Sequence, residues 1–90
     1  MKFRNVVGPQ IRKMRNDRGW SQVILAAKLQ VIGWDISRSG IAKIESQLVW
    51  VGDYELFFLL KIFNVGFETL FPPIDLEQPI DGAVKELTRN

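Results

Sequence analysis

The stretch SQVILAAKLQVIG, residues 21–33, followed by WDISRSGIAKIE, residues 34–45, decides how this chain folds. Ser21 stands where a helix would begin. Its hydroxyl can accept an N–H that the first helical turn leaves without a partner. After it, Leu25, Ala26 and Leu29 fall on one face of a helix, so a helix is expected from Gln22 to about Ile32, ahead of Gly33. Val23 and Ile24 lie off that stripe, which makes this helix apolar around much of its circumference. Ser37 repeats the signal. Beyond it Ile41 and Ile44 share a face while Arg38, Ser39, Ala42 and Lys43 point elsewhere, giving a short helix that starts at about Ser37.

Upstream, Ile11 and Met14 keep a helical interval among Arg12, Lys13, Arg15 and Arg18, so a first helix is expected over 8–18. Pro9 suits its first turn, where the missing N–H has no intrahelical partner in any case, and Gly19 supplies a stop. Downstream, Asp53 opens a helix whose inward stripe is Leu56, Leu59, Leu60 and Phe63, closed by the turn at Asn64 to Gly66. Residues 67–71 read as one further helical turn, halted by Pro72 and Pro73. No strand-type alternation occurs. The expected fold is therefore all-α, a compact bundle of four to five short helices over residues 1–73. Residues 74–90 form an expected C-terminal extension, mobile or with a short helix near 83–87, because Leu76, Ile80, Val84 and Leu87 are scattered.

Ninety residues allow one modest core. The chain is 47% hydrophobic and contains no cysteine and no histidine, so a disulfide framework, a thiolate metal site and the commonest general base are all missing. No cofactor, no metal site and no enzymatic activity are expected. There is no apolar run long enough to span a bilayer and no leader-like start, which leaves the cytoplasm as the expected compartment. The formal net charge of +2 conceals an asymmetry: residues 1–52 hold nine Lys/Arg against three acids, and residues 53–90 hold three against seven. A basic half of this kind is what a phosphate-binding surface needs.

The ordered set IRKMRNDRGWSQVILAAKLQ, ISRSGIAKIES and DYELFFLLKIFNVGFETLF resembles the Cro and lambda-repressor type of helix-turn-helix domain, the XRE family, over roughly residues 8–71. The resemblance implies that the helix after Ser37 is a recognition helix entering the DNA major groove. It assigns base reading to Arg38, Ser39 and Lys43, with Gly40 and Ala42 beside them, and backbone phosphate contacts to Gln22 and Ser37. The chemistry is compatible. Arg and Lys can donate to guanine O6 and N7, and a serine hydroxyl serves base or phosphate. Lys28 and Arg12 are supplementary phosphate candidates. The resemblance also pairs Arg15 with Glu45 as a structural salt bridge between the first and third helices. The expected function is a sequence-specific DNA-binding transcriptional regulator, a repressor, acting as a homodimer because one short helix covers only a half-site.

Two stretches depart from that pattern. Seven residues, Gln30 to Ile36, separate Leu29 from Ser37, where a turn of about three or four is usual. This implies either an extra turn of the second helix or a loop that packs Ile32 and Trp34 against a neighbouring surface. The loop Ser46 to Gly52 carries no charge where basic residues would grip phosphate. Its Leu48, Val49, Trp50 and Val51 are instead candidates for a protein partner. The alternative function is accordingly a protein-interaction module on the same fold, such as an antitoxin or regulatory subunit.

Overall fold

The structure is a computed structural model in which residues 3–73 are described. Four α-helices follow one another: α1 (Gly8–Asp17), α2 (Gln22–Val31), α3 (Arg38–Glu45) and α4 (Asp53–Phe63); a 3-10 turn (Phe67–Leu70) comes last. No strand occurs among the described residues, and the expected all-helical bundle is what is found. No described helix is long and apolar enough to cross a membrane. The expected extension over 74–90, with its short helix, lies outside the described residues.

The helix starts follow from local chemistry. Ser21 Oγ accepts from the N–H of Ile24 at 3.1 Å, and Ser37 Oγ accepts from the N–H of Gly40 at 3.2 Å. At α4 the cap runs in the other direction: Gly52 N–H donates to Glu55 Oε1 at 2.8 Å, and Asp53 and Glu55 place negative charge where the helix dipole favours it.

All four helices stop in the same way. A residue with positive φ follows the last turn: Gly19 at 71°, Gly33 at 115°, Gln47 at 63° and Asn64 at 54°. In each case two N–H groups fold back on the free carbonyls, as with Trp20 N on Arg15 O at 3.1 Å and Leu48 N on Lys43 O at 2.9 Å. This is the Schellman arrangement, and three of its four turning residues are the usual Gly or Asn. Gln47 is the exception.

The core gathers Ile11 and Met14 from α1, Leu25, Ala26 and Leu29 from α2, Ile41 and Ile44 from α3, and Leu59 and Phe63 from α4, with Leu70 closing it. Fully burying one such leucine contributes about 1.5–3 kcal/mol. α3 packs on both α1 and α2, α2 also meets α4, and the 3-10 turn returns to α1. Leu56 and Leu60, expected on the inward stripe, are half-buried at its margin. Arg18 ties the ends of α1 and α4 together, its Nη2 donating to Phe63 O at 2.7 Å while its guanidinium covers the Trp20 and Phe63 rings.

The long turn between α2 and α3 combines both expected arrangements. α2 runs on to Val31 with Ile32 as its cap, and Trp34 then lies against Phe58 of α4, ring centroids 6.1 Å apart. Gln30 Nε2 donates to Ile36 O at 2.7 Å and fixes the chain that leads into α3.

Candidate nucleic-acid interface

α3 has two unlike sides. Ile41, Ile44 and Glu45 are buried, and Arg38, Ser39 and Lys43 are exposed. Ser39 and Lys43 are four residues apart and so stand in one row along the helix, with Arg38 at its start. Neither cation forms an ion pair with a carboxylate among the described residues. Ser37 is exposed and caps the helix. Gly40 is half-buried, and a Cβ built on it would lie 2.7 Å from Ile36 Cγ1. The preceding loop therefore gives a packing reason for this glycine that involves no ligand.

The buried side of α3 ends in a carboxylate that joins three helices. Glu45 is 1% exposed. Arg15 of α1 meets it in a fork, Nε to Oε2 at 2.7 Å and Nη2 to Oε1 at 3.0 Å. Gln22 of α2 donates to Oε1 at 3.2 Å, and Arg12 Nε reaches the same oxygen at 3.4 Å. Arg15 spends its remaining Nη1 on Trp20 O at 2.8 Å. A buried charge is tolerable only when it is paired and its lone pairs are satisfied, and both conditions hold here. The hydrogen bond with Glu45 raises the Arg15 guanidinium above its ordinary range; burial opposes the rise and the Glu45 charge adds to it. Arg15 itself therefore stays charged up to and beyond arginine's ordinary range, and the stabilisation that its own charge brings is lost only as pH climbs through the raised value.

Two of the residues expected at phosphate take part in that cluster. Gln22 is half-buried at the start of α2 with its amide donating to Glu45, and Arg12 is hydrogen-bonded to the same carboxylate. Lys28 Nζ sits 4.6 Å above the Trp20 ring. Of the expected contacts, Ser37, Arg38, Ser39 and Lys43 share one exposed stretch of chain, and Gln22 stands behind it as a link to the scaffold.

The uncharged loop after α3 divides in two. Val49 and Val51 tuck against the core, whereas Leu48 and Trp50 are 65% and 67% exposed. Tyr54 and Phe57 of α4 are exposed as well. Sequence reasoning passed over these two, although their spacing of three, set off from the Leu56, Leu59, Phe63 stripe, marks an apolar outer face.

A second feature it missed is the N-terminal arm, Phe3 to Val7. Asn5 Nδ2 donates to Ile44 O at 3.2 Å and to Val49 O at 2.9 Å, and its Oδ1 accepts from Gly8 N at 2.9 Å. Gln47 Nε2 answers by donating to Asn5 O at 3.0 Å, and Arg4 N donates to Gln47 O at 2.9 Å. This exchange explains why a glutamine holds the left-handed position that ends α3. Its amide nitrogen is spent on the arm, while its buried Oε1 meets no hydrogen-bond partner among the described residues. Gly8 lies so close to the end of α3 that a Cβ on it would collide with Ile44 O and come within 2.9 Å of Glu45 O.

Comparison of the chain with protein-family models, with curated proteins and with solved structures yields no match. Its functional reading is carried by the geometry just described.

Proposed function

We propose that the protein is a sequence-specific DNA-binding regulator of transcription, a repressor of the helix-turn-helix type resembling the XRE family, that reads the major groove with α3. One observation carries the proposal: a short helix, braced from behind by α1 and α2, turns Arg38, Ser39 and Lys43 outward while Ile41, Ile44 and Glu45 hold it inward. Guanidinium and ammonium groups that meet no carboxylate among the described residues are donors of the kind that guanine O6 and N7 accept from. One such helix covers a half-site, so the acting species is a homodimer on paired half-sites, working in the cytoplasm without a cofactor.

Selection of bound fragments from a random duplex library tests this directly. Recovered sites should share a half-site motif repeated about one helical turn apart. Arg38→Ala or Lys43→Ala should each relax base preference at one position by about 1–3 kcal/mol. A library that shows no enrichment would sink the proposal.

The exposed Leu48, Trp50, Tyr54 and Phe57 favour a second reading, a module that binds another protein through this collar. Under that reading binding to duplex DNA is absent and substitutions in the collar, not on α3, abolish function.

A further inference from the structure

We infer that Arg4, carried by the N-terminal arm, is a phosphate contact of the DNA interface and supplies the charge that the loop after α3 lacks. The inference rests on the DNA-binding reading above. Residues 46–52 contain no Lys or Arg, so that loop has nothing of its own to set against a phosphate. The arm brings a cation to the same place. Arg4 N donates to Gln47 O at 2.9 Å, and Asn5 is bound to the carbonyls of Ile44 and Val49 on either side, so the backbone at Arg4 is fixed beside the loop.

The side chain is held too. The Arg4 guanidinium lies 5.4 Å from the centroid of the Trp50 ring, and Trp50 is 67% exposed. Arg4 is itself exposed and meets no carboxylate among the described residues. A guanidinium resting on an aromatic face keeps its five N–H donors in a plane and loses less freedom when it grips an anion. Arg15 contrasts with it, its guanidinium engaged by Glu45 and Trp20 O, while Arg12 and Lys13, though exposed, each already meet one carboxylate, Glu45 and Asp17.

The test is binding of the full chain to random-sequence duplex DNA over a salt series, with wild type, Arg4→Ala, Arg4→Gln and Lys61→Ala. Each phosphate contact adds about 0.9 to the slope of log affinity against log salt. Wild type should bind with a steep slope. Both Arg4 variants should lose about 0.9 from it, so that between about 50 and 200 mM salt their affinity drops roughly threefold less than that of wild type. Lys61→Ala, on the outer side of α4, should leave the slope alone, and the base preference selected by α3 should be the same in all four. If wild type binds steeply and the Arg4 variants match its slope, this inference falls while the DNA reading stands. If wild type does not bind duplex DNA at the lowest salt, both fall together. Arg4→Gln keeps the aliphatic stem over Trp50, so a slope lost in Arg4→Ala but kept in Arg4→Gln would assign Arg4 to covering the indole and overturn the inference.

Discussion

The two ends of α3 are built on opposite plans. Its N-terminal end is held by one local bond, Ser37 Oγ to Gly40 N, and by the bonded turn that leads to Ile36. Its C-terminal end is held from far along the chain: Asn5 grips Ile44 O, Gly8 presses on two carbonyls, Gln47 is crossed with the arm, and Glu45 collects α1 and α2. A helix fixed at one end and presented at the other keeps its orientation while leaving its first turns open to a ligand. The costliest losses of stability should therefore come from contacts at the C-terminal end of α3, and the smallest from its N-terminal cap.

Three substitutions can break that contrast. Glu45→Ala should cost the most, about 3–5 kcal/mol, because it strands the nearly buried Arg15 and removes a partner from Gln22 and Arg12. Urea unfolding reads it, and a loss below about 1 kcal/mol would show the cluster to be an exposed pair in effect. Gly8→Ala should come next, destabilising by about 1–3 kcal/mol as the new methyl meets the backbone carbonyl of Ile44. The sign is the informative part, since the same change inside an unobstructed helix is stabilising by about 0.5–1 kcal/mol. Ser37→Ala should cost least, about 1 kcal/mol, and Ser37→Gly only a few tenths. Thermal melting separates the two serine variants, as 1 kcal/mol moves the midpoint of a domain this small by roughly 4–8 °C. A Ser37→Ala loss as large as that of Glu45→Ala would erase the difference between the ends.

Much of this architecture was legible before any coordinates. Ser21 and Ser37 mark helix starts through a hydroxyl that serves its own first turn, and Gly19, Gly33 and Asn64 mark ends through a backbone conformation few residues accept. The inward and outward sides of α3 follow from the spacing of Ile41 and Ile44 alone. What escaped depends on partners distant in sequence. Asn5 meets residues 39 and 44 positions away, so no periodicity announces it. Gln47 looked like a loop residue because glutamine is not a usual left-handed stop, and its reason for being there lies in the arm. The bond from Gln22 to Glu45 escaped because the depth of Glu45 cannot be read from a spacing. The seven-residue turn was ambiguous for the same reason: only the position of Phe58 shows where Trp34 goes.

The chain's three indoles fall at three separate joints. Trp20 stacks on Phe63 at 5.6 Å where the α1–α2 turn meets the end of α4, Trp34 sits on Phe58 beneath the α2–α3 turn, and Trp50 lies under Arg4 where arm and loop cross. Emission from variants that keep one indole each would follow loosening at each joint separately, with no label added to a chain that has no cysteine to carry one.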